Sequence, residues 1–136
     1  MQVRDIMSTR IVGVAPGMSV RDAAQMMNKN NIGSVPVVES GSVKGMLTDR
    51  DIVLRCVAEG RDATSVKVSD ICSNGAISVR PDENVSDAIG LMSSEQVRRL
   101  PVVEGERIVG MLSFADVARE RSGMELSKAI SEISMP

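Results

Sequence analysis

Behind Ser19 the apolar residues Val20, Ala23, Met26 and Met27 recur at helical spacing, with Asp22 three positions after the serine. An N-cap hydroxyl followed by an acid at the third helical position predicts a helix starting there. Before it, Ile11–Val14 is a short β-prone run followed two residues later by Pro16, which predicts a strand that ends at the proline. After it come two apolar runs, Val35–Glu39 and Val43–Leu47, joined through Ser40–Gly41–Ser42. They predict a hairpin. A last helix is predicted at about 49–58, ending near Gly60, a residue able to take the left-handed cap conformation.

The same succession then returns. Ala76–Val79 precedes Pro81; Asn84 and Asp87 precede Val85, Ala88, Leu91 and Met92 at helical spacing; Leu100–Glu104 and Ile108–Leu112 flank Gly105; a helix is predicted at 114–121. Aligned at an offset of 65, residues 3–55 match 68–120 without a gap, and eighteen of the 53 pairs are identical, among them Asp5/Asp70, Pro36/Pro101, Gly45/Gly110 and Asp51/Asp116. Chance would give about four. The fold class is therefore α/β (α+β): two β-α-β-β-α repeats packed with pseudo-twofold symmetry, with pockets occurring in pairs and function lying between the halves. The expected organisation is a first domain at 3–58, a linker at 59–67 rich in turn-forming residues, a second domain at 68–121, and a helical extension at 122–136. In that extension Leu126, Ala129, Ile130 and Ile133 form one apolar stripe, expected to pack on the body or on a second subunit.

Composition narrows the chemistry. The 136 residues contain no His, Trp or Tyr, and Phe114 is the only aromatic, which removes imidazole bases, His metal ligands and base-stacking platforms. Cys56 and Cys72 form no Cys-x-x-Cys pair and are expected to be reduced, buried small hydrophobes, so neither a metal site nor a disulfide is expected. With 16 basic and 18 acidic residues and no run of like charge, nucleic-acid binding is not expected. No apolar stretch suits a membrane span or a secretory signal, so the expected address is the cytoplasm.

Candidate chemistry lies where the two halves agree most. Gly45-Met46-Leu47-Thr48-Asp49-Arg50-Asp51 and Gly110-Met111-Leu112-Ser113-Phe114-Ala115-Asp116 both place a hydroxyl and, three residues on, an aspartate at a strand-to-helix junction. One reading is a capping box that stabilises each helix by about 1 kcal/mol. The other is a fixed carboxylate that accepts the two hydroxyls of a ribose. The glycine three residues before the hydroxyl allows another group to approach the backbone.

These two motifs, with the strands Pro36-Val37-Val38 and Pro101-Val102-Val103 and the duplication itself, make the chain resemble a pair of cystathionine β-synthase (CBS) domains, a Bateman module, over residues 3–120. It is similar to stand-alone bacterial CBS-pair proteins. The resemblance implies a regulatory or sensor module that binds adenosine-containing ligands (AMP, ADP, ATP, S-adenosylmethionine or NAD) in clefts between the repeats and signals to a protein partner. It implies ribose clamps at Thr48 with Asp51 and at Ser113 with Asp116. One pocket would combine Asp116 with Ile11, Val12, Ile32, Gly33 and Ser34; the other would combine Asp51 with Ile77, Arg98 and Arg99. Arg98 and Arg99 face Gly33 and Ser34 in the alignment, so only one turn carries cations able to reach phosphate; the alternative is that they are solvated charges at a helix C-terminus. The resemblance also implies a homodimer, no catalytic residues and no required cofactor. A rival reading is a protein-interaction or structural adaptor with vestigial pockets, and an enzyme is disfavoured.

Overall fold

The computed structural model describes residues 1–120 and 130–133. They form two compact units. The first is Val12–Ala76; the second joins Met1–Ile11 to the chain from Ile77 onward. The units thus differ from the contiguous sequence repeats at one place, because each contains the opening segment of the other repeat.

In the first unit helix α1, Val20–Asn30, is capped by Ser19, whose hydroxyl accepts the Asp22 N–H at 3.1 Å, and it stops at Asn31 in the left-handed conformation. Strands β1, Ser34–Glu39, and β2, Ser42–Thr48, form the antiparallel hairpin, each reaching slightly beyond the predicted run. Helix α2 covers only Asp49–Ile52; a π-turn, Val53–Val57, continues it towards Gly60, which has the positive φ expected of it. Helix α3, Val68–Ile71, and strand β3, Ser73–Asn74, follow, with β3 antiparallel to β2. The core joins Val20, Ala23 and Met27 of α1 to Val35, Val37 and Leu47 of the hairpin and to Val68, Ile71 and Cys72. Cys56 and Cys72 are free thiols buried in this core, and burial pushes the Cys72 thiol up.

The second unit repeats the plan with α4, Val85–Glu95, strands β4, Arg99–Glu104, and β5, Arg107–Ser113, and α5, Phe114–Glu120. Asn84 caps α4 through the Ser86 N–H at 3.0 Å, one position earlier than its counterpart. A 3-10 turn at Val3–Asp5 takes the place of α3, and Ser8 bridges Met111 as Ser73 bridges Met46. Val3 is fully buried against Val79, Val85, Leu100 and Leu112. Ile133 is 5 % exposed in the same core, and the Glu132 carbonyl accepts from Ser93 and Gln96, so the end of the C-terminal stripe packs on this unit. Ile130 of the same stripe is 44 % exposed and does not pack on it, and Leu126 and Ala129 lie outside the described residues.

The expected strands at Ile11–Val14 and Ala76–Val79 are corrected to single parallel bridges, Val14 to Val37 and Val79 to Val102. Proline explains why. Val14 donates to the Pro36 carbonyl at 3.0 Å and accepts from Val38 at 2.8 Å; the next rung needs an N–H from residue 36, and Pro36 has none. Pro101 stops the ladder beyond Val79 in the same way.

Candidate functional site

Each hydroxyl–aspartate motif folds into a closed ring of two hydrogen bonds. Thr48 ends β2 in extended backbone; its Oγ1 accepts the Asp51 N–H at 3.0 Å, and Asp51 Oδ2 accepts the Thr48 N–H at 3.0 Å. In the second unit Ser113 Oγ accepts the Asp116 N–H at 3.1 Å, and Asp116 Oδ2 accepts the Ser113 N–H at 2.9 Å. The capping reading is therefore realised twice. It engages Oδ2 and leaves Oδ1 pointing elsewhere. Arg55 Nε lies 3.9 Å from Asp51 Oδ1, and the Arg119 guanidinium contacts Asp116 Oδ1 directly. Sequence reading passed over both arginines, although a base three or four residues after an acid on one helix is a recognisable signal. Asp116 is the only charged residue among the described ones that is buried, at 8 % exposure.

The hairpin register sets a turn beside each motif. Ser34 pairs with Thr48, and the Asp49 N–H donates to the Gly33 carbonyl at 2.9 Å. Likewise Arg99 pairs with Ser113, and the Phe114 N–H donates to the Arg98 carbonyl at 2.7 Å. Val12, Ile32, Gly33, Ser34, Thr48 and Asp51 thus belong to the first unit, and Ile11, Ile77, Arg98, Arg99, Ser113 and Asp116 to the second. The expected combinations, Asp116 with the turn at 32–34 and Asp51 with Arg98 and Arg99, draw on both units; inside each unit, the turn and the motif of one repeat lie side by side. Where Pro36 and Pro101 halt the ladder, Val12 and Ile77 keep a backbone donor and acceptor without a backbone partner among the described residues.

The motif glycines do what their position suggests and leave room for another group at the backbone. A Cβ on Gly45 would lie 1.8 Å from the Ser73 carbonyl oxygen, and one on Gly110 would lie 2.8 Å from the Ser8 carbonyl oxygen. The group that approaches the backbone is the chain's own exchanged segment. A cleft of about 240 Å³ lined by Arg4, Arg80, Pro81, Asp82 and Glu104 lies at the far end of β4 from the motif. Among the described residues no cluster of His, Cys, Asp and Glu could hold a metal, and no helix is long and apolar enough to cross a membrane.

Comparison with known proteins identifies the domain type. The family model for the CBS domain matches twice, at residues 3–57 and 68–123. The chain is 41 % identical over 133 residues to the CBS domain-containing protein YhcV of Bacillus subtilis, covering 97 % of this chain and 94 % of that one. The crystal structure of Hypoxic Response Protein I with two coordinated zinc ions superposes with a TM-score of 0.83 at 32 % identity, covering 90 % of this chain and all of that one. The CBS domain pair of protein MJ0100, in complex with 5-methylthioadenosine and S-adenosyl-L-methionine, gives a TM-score of 0.78 at 27 % identity, covering 88 % of this chain and 94 % of that one. Two matches to one family model, a duplicated unit and relatives of similar length lead to one assignment: the chain belongs to the CBS domain family and is a tandem CBS pair.

Proposed function

We propose that the chain is a regulatory module, not an enzyme, acting in the cytoplasm, and that each unit binds an adenosine-containing ligand through its hydroxyl–aspartate motif. The observation that carries this reading is the position of Oδ1 on Asp51 and Asp116: the capping bonds fix each carboxylate through Oδ2, and the second oxygen, which faces Arg55 in one unit and accepts from Arg119 in the other, has a further lone pair to accept from a vicinal diol. Val12 and Ile77 add a peptide donor and acceptor suited to the edge of a purine. The ligands of the MJ0100 pair belong to the same chemical class. Ligand binding is then passed to a protein target.

The test is a thermal-shift screen of the full chain against adenosine, AMP, ADP, ATP, S-adenosylmethionine and NAD. A ligand present at 100 times its dissociation constant stabilises the folded state by roughly 2.7 kcal/mol. At least one member of the panel is expected to raise the melting temperature by several degrees. A flat response across the panel rejects the reading in favour of an adaptor with vestigial pockets.

The same module is proposed to act as a homodimer. Val53, Leu54 and Val57, on the π-turn of the first unit, are 54, 46 and 65 % exposed. Three large aliphatic side chains gathered on one turn are better covered than wet. Sedimentation at micromolar concentration is expected to give twice the 14.5 kDa of the chain; a mass of one chain rejects the dimer.

A further inference from the structure

The cleft at the far end of β4 lies where the opening segment of the first repeat docks on the second unit. The Val3 N–H donates to the Glu83 carbonyl and the Arg4 N–H to the Pro81 carbonyl, both at 2.9 Å, which pins the turn at Val3–Asp5 along the chain leading into α4. The first unit builds the same frame. There the Val68 N–H donates to the Met18 carbonyl at 2.9 Å and the Ser69 N–H to the Pro16 carbonyl at 3.0 Å. On this shared frame the side chains differ: at the offset of 65, Arg4 stands where the first unit has Ser69, Arg80 where it has Ala15, and Asp82 where it has Gly17, while Glu104 matches Glu39. Only the second unit carries charge of both signs there.

The four charges are not equally engaged. Arg80 and Asp82 satisfy each other, with Nε donating to Oδ1 at 3.2 Å and Nη2 to Oδ2 at 3.4 Å. Neither Arg4 nor Glu104 has a side-chain hydrogen bond or ion pair among the described residues. One guanidinium and one carboxylate without partners therefore line a single cleft of about 240 Å³, together with Pro81 and Val103. The charges of the lining sum to zero, so an anion drawn to Arg4 meets Glu104, and a cation drawn to Glu104 meets Arg4. A ligand carrying both charges suits it better than either ion. The volume lies below the roughly 300–1,000 Å³ of sites for drug-sized ligands, and Phe114, the only aromatic of the chain, packs against the core rather than here, so a stacked base has no platform.

We propose that this cleft binds a small zwitterion with the chemistry of a free α-amino acid bearing an apolar side chain. Arg4 takes the carboxylate in a charge-assisted contact, Glu104 accepts from the ammonium, and Pro81 and Val103 cover the side chain. Arg4 arrives on the exchanged opening segment and Glu104 on β4, so the ligand clasps the two together. The site is separate from Ser113 and Asp116, which stand at the other end of the hairpin, where Ser113 pairs with Arg99. An amino acid would therefore be a second input to the chain, independent of any ligand at the hydroxyl–aspartate motifs.

Amide-detected NMR titration of the full chain with L-alanine, L-valine and L-leucine tests this. At least one of them is expected to shift the amide signals of Arg4, Asp82 and Gly105 saturably in the millimolar range, while Gly17, Ser40 and Ser69, the equivalent positions of the first unit, stay in place. The N-acetyl and amide derivatives of the tightest binder keep only one of its two charges and are expected to bind at least tenfold more weakly. Arg4→Ser and Glu104→Gln are each expected to weaken the free amino acid by the same factor. Arg4→Ser installs the side chain that the first unit carries on the same frame, and its urea midpoint is expected to stay at the parental value; should it fall, Glu104→Gln, at an exposed position, carries the test. No saturable shift with any of the three, an N-acetyl derivative that binds as tightly as its parent, or an affinity unmoved by Glu104→Gln overturns the zwitterion site. Each of these results leaves adenosyl binding standing, since that is read at the other end of the hairpin.

Discussion

Replacing Gly45 with Ala is expected to destabilise the fold by about 3 kcal/mol, the upper end of the usual cost of overfilling a packed site. The added carbon would lie 1.8 Å from the Ser73 carbonyl oxygen, so β3 or β2 must move, and backbone paired in a ladder moves only by breaking its bonds. Gly110→Ala should cost less, about 1–2 kcal/mol, because its nearest contacts are at 2.8 Å and one of them is the flexible end of Met7. Gly90 supplies the control. It lies inside α4 with nothing within 4 Å of an added carbon, so Gly90→Ala is expected to stabilise by about 0.5–1 kcal/mol through helix propensity. Urea midpoints of the three variants should rank Gly90→Ala above parent, then Gly110→Ala, then Gly45→Ala. If Gly45→Ala unfolds at the parental midpoint, the exchanged segment does not lie where the structure has it.

The second large effect is on binding. Asp51→Asn and Asp116→Asn keep size and an oxygen able to accept the Thr48 or Ser113 N–H, but they remove the charge that would hold a diol. A charge-assisted bond contributes about 1.5–3 kcal/mol, so adenosine affinity at the altered site should fall roughly ten- to hundredfold. Stability should fall by only about 1 kcal/mol, more for Asp116, which is the more buried and the more closely held by its arginine. Calorimetry paired with denaturant unfolding separates the two effects. Should both variants bind as tightly as the parent while losing stability, the carboxylates cap their helices and do nothing else.

Much of each unit was legible because it is decided within a few residues. Ser19 and Asn84 cap where their spacing predicts, the hairpins turn at Ser40–Gly41 and near Gly105, and the two hydroxyl–aspartate junctions close as capping boxes. Ile11–Val14 misled because β propensity says nothing about the partner: the adjacent strand holds a proline where a second rung needs a donor. The difference in charge between the two turns was half visible. Arg98 and Arg99 stood out against Gly33 and Ser34, but the variable residues Asp49 and Phe114 gained meaning only when the hairpin register placed them against the turn. The exchange of opening segments was not legible at all. Val3, Asp5, Ile6 and Ser8 are identical to Val68, Asp70, Ile71 and Ser73, so either segment offers either unit the same side chains, and no local preference tells them apart.

That exchange means neither repeat is a self-sufficient folding unit. A polypeptide cut between residues 60 and 65 would leave the first hairpin without Val66, Val68, Ile71 and Cys72, a third of its buried cluster, and would leave the second hairpin without Val3. A solitary ancestral repeat could have completed itself only by lending its opening segment to another copy and borrowing one in return. The present chain has the connectivity of such a swapped dimer on one polypeptide. With the two lenders joined on one chain, their turns and junctions can differ, Gly33 from Arg98 and Asp49 from Phe114, without either unit losing the segment it depends on.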